Sequence, residues 1–297
     1  LKWLSDRALP RIMFLTVGLV AAGYSPDRAT YFAKLSGAAY CSVQSLTDWD
    51  CGDKCFGGVS KVQVCKGKDT HAYVAKSNGQ CTASFEGTSN IPSTITDTEF
   101  WKNGTLWGHC DGCTVHSGFL SEWDSLSQCI MHSLTSIGCG RGAELHTTGH
   151  SLGAAVAGLA NMELTRGGWT VAESYTFGMP RTGDQAFATQ LTEMLEGRFW
   201  RVTHAKDPIP HLPPEHLVLN WHYVHAEPEV FYKGDVADGY VECTEDGDEK
   251  CSSQYRNLPW VALHLPQHLD YMGVDTSFFG CKNWLPGGPV DLVDALI

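Results

Sequence analysis

Basic residues are scarce in this sequence. Lysine and arginine number 21 against 33 aspartates and glutamates, so the formal net charge at pH 7 is −12. A protein that grips nucleic acid or an anionic membrane through its charge needs the opposite sign, so the balance argues against both classes. Much of the negative charge lies between Asp235 and Glu249, which we expect to be a solvated loop.

The sequence also lacks internal repeats, low-complexity linkers and a hydrophobic run long enough to span a membrane. Its N-terminal apolar stretch, Ile12–Ala22, is too short for a span, follows basic residues and ends in small residues. This order is typical of a secretory leader. We therefore expect a leader over residues 1–23 and a single domain over residues 24–297.

Cysteine, in contrast, is abundant, with 12 in 297 residues. Such a content is typical of proteins that fold in an oxidising compartment, in agreement with a leader. Asn103-Gly104-Thr105 is a glycosylation sequon. The sequence therefore predicts a secreted, disulfide-bonded glycoprotein without a transmembrane segment.

Strand and helix patterns alternate along most of the chain. Such alternation predicts an α/β fold with a mostly parallel central sheet and helices on both faces. Helices are predicted at 25–40, 119–137, 154–163 and 183–195. Strands are predicted at 70–76, 80–86, 144–148, 173–177 and 198–204, the first two joined by the hairpin turn Ser77-Asn78-Gly79.

The most informative motif is Gly149-His150-Ser151-Leu152-Gly153, which lies between a predicted strand and an alanine-rich helix. A serine on so sharp a turn needs an unusual backbone angle, and side chains two residues to either side would collide, which accounts for both glycines. The turn lifts the Ser151 hydroxyl above the sheet, and the N–H of Leu152 points to the same place. A turn with a helix-capping serine is the alternative.

A serine nucleophile needs a base, and that base needs a carboxylate behind it. The strand at 198–204 leads into Asp207, which puts this carboxylate at the carboxyl end of a strand, where sites gather in open sheets. We therefore assign Asp207 as the orienting acid. The alternative is an aspartate that caps a turn before Pro208.

Two of the 13 histidines follow Asp207 late in the chain. His264 lies among apolar residues and is interpreted as a packing histidine, whereas His268 lies beyond a proline, on a loop that can reach the serine. Four other histidines crowd one stretch: His211, His216, His222 and His225. Their irregular spacing around Pro213-Pro214 argues against a metal site, and no cofactor is expected.

Further motifs follow one another along the chain. They are Ala38-Ala39-Tyr40-Cys41, Phe85-Glu86-Gly87-Thr88, His116-Ser117-Gly118-Phe119, Thr148–Ala154, Phe177–Gly183, Val202–Asp207, His211-Leu212-Pro213-Pro214 and His268-Leu269-Asp270-Tyr271. In this order they resemble the filamentous-fungal triacylglycerol lipases, the class-three lipases, and their feruloyl esterase relatives. The resemblance implies an α/β-hydrolase whose catalytic triad is Ser151, Asp207 and His268.

The same resemblance assigns the oxyanion hole to Thr88 and Leu152. Two donors about 3 Å from the developing oxyanion contribute several kcal/mol to catalysis. Read from the residues alone, Thr88 is an ordinary turn threonine.

The resemblance also implies disulfide bonds. It gives the pairs Cys41–Cys281, Cys51–Cys55, Cys243–Cys251 and, as in the feruloyl esterase relatives, Cys110–Cys113. The family pattern does not cover the other four cysteines. For these we expect Cys65–Cys81 across the hairpin region and Cys129–Cys139 at the end of the long helix.

Residues 89–108 occupy the position of the family's lid. Their apolar side chains can cover an acyl groove or meet an oil–water interface, or else pack down as a fixed wall. We assign five of them to the substrate-facing lid: Ile91, Ile95, Phe100, Trp101 and Trp107. Charged neighbours and a glycan at Asn103 would make the segment more polar than a typical lipase lid, so an esterase stays open.

The sequence therefore predicts a secreted, monomeric hydrolase of carboxylic esters, with acylglycerols as the first choice of substrate. The nearest alternative is a feruloyl or other aromatic-acid esterase that acts on plant cell wall. The alternative from another class is a catalytically silent lipid-binding protein on the same fold.

Overall fold

The computed structural model describes residues 23–88, 104–108, 110–214, 222–257 and 261–282. Strands β1 to β12 are Val59–Lys66, His71–Ser77, Gln80–Phe85, Gly104–Leu106, Thr114–His116, Glu144–His150, Thr170–Phe177, Phe199–His204, Glu229–Tyr232, Val241–Cys243, Asp270–Tyr271 and Val274–Asp275. Helices α1 to α6 are Pro26–Ala38, Val43–Asp48, Ser117–Ser136, Leu152–Arg166, Gln185–Met194 and Leu265–His268.

An eight-stranded sheet, in the order β1-β2-β3-β6-β7-β8-β9-β10, forms the centre of the fold. Strands β3, β6, β7, β8 and β9 are parallel, and β1, β2 and β10 extend the sheet in antiparallel pairs at its edges. Two small ladders, β4 with β5 and β11 with β12, lie apart from it. The predicted α/β fold with a mostly parallel sheet is confirmed.

Alternate side chains of each strand face opposite sides of the sheet and build two separate cores. Along β2, Ala72 and Val74 join the core that contains α3, α4 and α5, whereas Tyr73 joins the core under α1. In the second core the rings of Phe32 and Tyr175 stack with their centroids 4.7 Å apart. Helices therefore cover both faces, and the site forms where the parallel strands end.

Local sequence signals set several element boundaries. Ser25 caps α1 by accepting a hydrogen bond from the Arg28 N–H, and Pro26 occupies the first turn, as predicted. The hairpin between β2 and β3 turns at Asn78 and Gly79, with φ of 50° and 80°. Both angles lie in the left-handed region that a tight hairpin requires.

Six disulfide bonds join the 12 cysteines, and four of the six predicted pairs are present: Cys41–Cys281, Cys51–Cys55, Cys110–Cys113 and Cys243–Cys251. The predictions Cys65–Cys81 and Cys129–Cys139 are wrong. Instead Cys65 pairs with Cys129 and Cys81 pairs with Cys139.

Strand order explains the error. Cys65 lies on β1 beside Ala72 of β2, and Cys81 lies on β3 beside Lys76 of β2. With β2 between them, the two cysteines are at least about 9 Å apart, two strand spacings, and a disulfide spans only about 7 Å between Cα atoms. Each cysteine bonds instead to helix α3 or to the turn directly after it.

Most of the predicted lid lies outside the described residues, including Ile91, Ile95, Phe100, Trp101 and the sequon residue Asn103; the predicted leader also lies outside, except for Gly23. Trp107 is described, and its assignment to a substrate-facing lid is wrong. Its side chain is 3% exposed within the core, with its ring 6.1 Å from that of Phe187. The backbone N–H of Trp107 donates a hydrogen bond to the carbonyl of Cys113 at 2.8 Å. Trp107 is therefore a core residue.

The acidic stretch 235–249 is mostly exposed, in line with the expected solvated loop, but Val241–Cys243 within it forms β10 at the sheet edge. None of the helices in the described ranges is both long and apolar enough to cross a bilayer.

Candidate active site

Ser151 lies on a sharp turn between β6 and α4, with φ 57° and ψ −127°. A residue with a side chain rarely adopts such a φ, so the conformation is strained and must be held by its surroundings. The Ser151 N–H donates to the carbonyl of Phe177 at the end of β7, at 2.9 Å. The side chain is buried, with 3% of the residue exposed.

Two glycines make room for this turn. A Cβ at Gly149 would overlap the carbonyl group of Gly153, and a Cβ at Gly153 would overlap the carbonyl oxygen of Phe85 on the neighbouring strand. Both obstacles are backbone atoms, so no side-chain rotation relieves them. The predicted reason for glycine at both positions is confirmed.

Asp207 follows β8, as predicted, and faces His268 at the end of α6. Its Oδ2 accepts a hydrogen bond from Nδ1 of His268 at 2.8 Å and a second from the hydroxyl of Tyr271. Its Oδ1 accepts from the N–H of Ile209 at 2.8 Å. Three donors thus fix the orientation of a carboxylate that is 2% exposed.

The proton on Nδ1 of His268 leaves Nε2 as the acceptor of the ring. This nitrogen is buried and has no hydrogen-bond partner among the described residues. The ring packs against that of His150, the residue directly before Ser151, with the centroids 4.3 Å apart and the planes tilted by 36°. A buried imidazole with an open acceptor, packed against the residue that precedes a serine, suits a general base.

Gly178 closes the other side of the site. Its φ is 57°, and a Cβ there would lie 2.8 Å from Cε1 of His268 and 3.0 Å from Oδ2 of Asp207. Since Gly178 follows Phe177, which binds the Ser151 N–H, the segments that carry serine, aspartate and histidine converge on one point.

The two predicted oxyanion donors lie on either side of the nucleophile turn. Leu152 is the first residue of α4. Thr88 is half-buried in the loop after β3, and a Cβ at the preceding Gly87 would lie 2.7 Å from the carbonyl oxygen of His150. The loop that carries Thr88 therefore packs directly against the turn that carries Ser151.

Three side chains of the site received no role from the sequence: Tyr40, His150 and Tyr271. Each belongs to a motif that carried the family resemblance, which was the available signal. Burial, reinforced by the charge of Asp207, raises the pKa of Tyr271 well above its usual value. Burial lowers the pKa of His150 well below its usual value, and both groups are neutral at ordinary pH.

In the histidine-rich stretch His225 is buried, His211 is half-buried and His222 is exposed, whereas His216 lies outside the described residues. Nε2 of His225 lies 2.6 Å from the carbonyl of Pro210, and burial lowers the pKa of His211 to about 4. Within the described ranges no three potential metal ligands cluster together.

Comparison with known proteins agrees with this geometry. Residues 82–217 match the family model of the class 3 lipases. The secreted mono- and diacylglycerol lipase A of Penicillium cyclopium is 35% identical over 164 residues, 54% of this chain and 51% of that protein. The secreted mono- and diacylglycerol lipase 1 of Fusarium solani is 35% identical over 173 residues, 56% of this chain and 49% of that protein. The chain thus spans about half the length of these curated relatives.

The fold has a similar counterpart in the triacylglyceride lipase of Rhizomucor miehei, with a TM-score of 0.70 and 26% identity over 85% of this chain and 96% of that one. The ordered motifs, the sheet topology and the serine turn agree with these matches. The chain is therefore similar to the class 3 lipases in sequence over residues 82–217 and in fold over 85% of its length.

Proposed function

We propose that the protein is a secreted serine hydrolase that cleaves the ester bonds of acylglycerols. One arrangement carries the hydrolytic part. The strained Ser151 directly follows His150, whose ring centroid lies 4.3 Å from that of His268. Nδ1 of His268 is bound by a buried carboxylate, and its Nε2 is open. A base that is oriented by a carboxylate is sufficient to activate a serine hydroxyl as a nucleophile.

In the proposed reaction Nε2 of His268 takes the hydroxyl proton as Oγ of Ser151 attacks the ester carbonyl. Asp207 keeps the imidazole in the required tautomer and stabilises the imidazolium that forms. The N–H groups of Leu152 and Thr88 bind the negative oxygen of the tetrahedral intermediate. His268 then protonates the leaving alcohol and activates the water that releases the fatty acid.

The substrate class is inferred from the relatives. Two of them carry the names of secreted mono- and diacylglycerol lipases, and the structural neighbour is named a triacylglyceride lipase. Six disulfide bonds support folding in an oxidising compartment, and therefore secretion. The apolar residues of 89–103 fit contact with an oil–water interface.

The substrate class is tested by measuring fatty acid release from emulsified mono-, di- and triacylglycerols beside hydrolysis of methyl ferulate, with Ser151→Ala as the blank. The proposal expects release from the acylglycerols that vanishes in the variant. Wild-type activity confined to methyl ferulate would overturn the acylglycerol assignment and leave the hydrolase standing.

An aromatic-acid esterase is the second candidate, because the disulfide Cys110–Cys113 is present directly after the lid segment. This bond resembles a feature of the feruloyl esterase relatives. The same panel decides between the two, since the esterase predicts hydrolysis of methyl ferulate and little release of fatty acid from the acylglycerols. The predicted monomeric state is tested by light scattering of the purified protein.

A further inference from the structure

Two buried side chains that the mechanism does not use, Tyr40 and His150, form a hydrogen-bonded chain around the site. The Tyr40 hydroxyl lies 2.6 Å from Nδ1 of His150, and Nε2 of His150 lies 2.7 Å from the carbonyl oxygen of His268. The same hydroxyl packs against Gly87, where an added Cβ would come within 2.0 Å of its oxygen. His150 is 0% and Tyr40 6% exposed, so solvent supplies none of these partners.

Only one assignment of protons satisfies this chain. The carbonyl of His268 accepts and never donates, so Nε2 of His150 carries the hydrogen. Nδ1 of this neutral ring is then an acceptor, and the Tyr40 hydroxyl donates to it. Burial lowers the pKa of His150 and raises that of Tyr40, so both stay neutral and the assignment holds across the working pH range.

These contacts connect three parts of the site that must keep a fixed position relative to one another: the oxyanion loop, the nucleophile turn and the base. Gly87 directly precedes the oxyanion donor Thr88, and His150 directly precedes Ser151. The carbonyl that His150 binds belongs to the proposed base, and the centroids of the two imidazole rings lie 4.3 Å apart. The hydrogen bonds of Tyr40 and His150, together with the contact of Tyr40 with Gly87, therefore link the oxyanion loop, the nucleophile turn and the base.

We propose that Tyr40 and His150 are positioning residues, which hold the backbone of His268 and the loop of Thr88 in register with Ser151. The inference rests on the proposed hydrolase function and deepens it. Neither side chain touches the reacting atoms in this account, because both act through residues that do. Catalysis is sensitive to displacements of about 1 Å, so loss of the chain affects turnover more than substrate binding.

A hydroxyl deletion tests the tyrosine, with a matched control elsewhere in the fold. Tyr40→Phe is compared with Tyr73→Phe, because Tyr73 is also buried and its hydroxyl also makes one hydrogen bond, to the carbonyl of Leu35 at 2.9 Å. We expect kcat for p-nitrophenyl butyrate to fall about tenfold in Tyr40→Phe, with KM changed less than about threefold, and both constants to be unchanged in Tyr73→Phe.

A pair of substitutions tests the histidine. Glutamine can place an N–H near the position of Nε2, whereas leucine cannot donate at all. We expect His150→Leu to lose about 100-fold in kcat and His150→Gln to recover at least about tenfold of that loss. Equal rates for these two variants, or equal rates for Tyr40→Phe and Tyr73→Phe, would overturn the proposal.

Imidazole NMR gives a readout that does not depend on turnover. The Nδ1–H of His268, bound to Asp207, should resonate at low field in the wild type and in Tyr73→Phe, and broaden in Tyr40→Phe as the base loosens. An unchanged resonance in Tyr40→Phe contradicts the inference. Failure of the wild type to react with diethyl p-nitrophenyl phosphate would instead refute the hydrolase function, and the NMR comparison still decides the positioning role.

Discussion

The backbone of Ser151 is held in a strained conformation by close packing of the backbone atoms around it. Gly153 packs so closely on β3 that only hydrogen fits at its α-carbon, which brings the start of α4 against the carbonyl of Phe85. At the scale of single residues, the conformation of the nucleophile therefore depends on steric fit at the neighbouring glycines.

Gly153→Ala should consequently abolish the folded site, because its methyl group would overlap a backbone oxygen. We expect a loss of more than about 3 kcal/mol in the free energy of unfolding, or no soluble protein. Gly158→Ala is the control on the same helix, since its methyl would meet only Cε of Met179, at 2.8 Å, the mobile end of a flexible side chain. Urea denaturation compares the two, and equal stabilities would contradict the steric account.

Glu227 is a second residue whose surroundings make a prediction. Burial raises its pKa to about 8, and neither carboxyl oxygen has a hydrogen-bond partner among the described residues. Arg201 lies 3.7 Å away but is engaged at 3.1 Å by Glu229, so it compensates Glu227 only in part. The folded protein therefore holds Glu227 protonated at neutral pH.

Because the pKa of Glu227 is higher in the folded than in the unfolded chain, its stabilising proton is fully present below about pH 4.5 and is lost as the pH rises through about 8. Glu227→Gln has no such loss. Its free energy of unfolding, relative to the wild type, should therefore increase between about pH 5 and about pH 8 by more than 1 kcal/mol. A difference that stays constant over this range would show that Glu227 is ionised.

At the scale of elements, disulfides tie helix α3 to the sheet edge. Cys65–Cys129 closes a loop of 64 residues, whereas Cys51–Cys55 closes a loop of only 4. In each pair one cysteine is fully buried and the other half-buried, so the two bonds make a matched comparison.

Replacing Cys65 and Cys129 by alanine should cost about 4 kcal/mol, against about 2 kcal/mol for the same change at Cys51 and Cys55, since a longer loop gains more entropy when it opens. Thermal unfolding of the two double variants measures the difference. A larger loss of stability on removal of Cys51–Cys55 than on removal of Cys65–Cys129 would mean that packing, rather than chain entropy, determines how much these bonds stabilise the fold.

The sequence predicted the elements whose signals are local. Helix α1 has its capping serine and proline, and the turn at Asn78-Gly79 demands left-handed angles. Strands β1 and β9 were not predicted. Charged residues interrupt β1 at the sheet edge, and β9 becomes a strand only because β8 and β10 flank it. The predicted partners of Cys65 on β1 and Cys81 on β3 were wrong because the pairing depends on strand order. Strand order is a property of the whole sheet and leaves no local signal in the sequence.

At the scale of the molecule, several histidines are buried in neutral form. Burial lowers the pKa of four of them, to about 4 for His146 and His211 and well below the usual value for His150 and His225. The unfolded chain binds protons at these sites below about pH 6.5, whereas the folded protein does not. Stability is therefore present above about pH 6.5 and lost as the pH falls.

We expect the free energy of unfolding to drop between about pH 7 and about pH 5, by on the order of 2 kcal/mol for each histidine whose pKa falls to about 4. His71 opposes this trend, because its hydrogen bond to Glu86 outweighs burial and raises its pKa. Glu227 opposes it too, so the drop is best measured in Glu227→Gln by denaturation at several pH values. Stability that rises on acidification of that variant would contradict the account.

For the whole site, the residue types and their order could be predicted from the sequence. The structure shows that the segments that carry them come together in the fold. Chain order and strand ends pointed to Asp207, and the choice of His268 over His264 rested on loop position. The supporting residues Tyr40, His150 and Tyr271 could not be given roles from the sequence, since these roles depend on contacts between residues 64 to 118 positions apart.

The central claim is that Ser151, Asp207 and His268 act as one unit, and the most direct measurement is the rate of p-nitrophenyl butyrate hydrolysis by the single and combined alanine variants. Groups that act as one unit give non-additive losses. The account predicts that Ser151→Ala alone removes at least about 1,000-fold in kcat and that adding His268→Ala removes little more. Losses that multiply, or activity that survives Ser151→Ala, would contradict it.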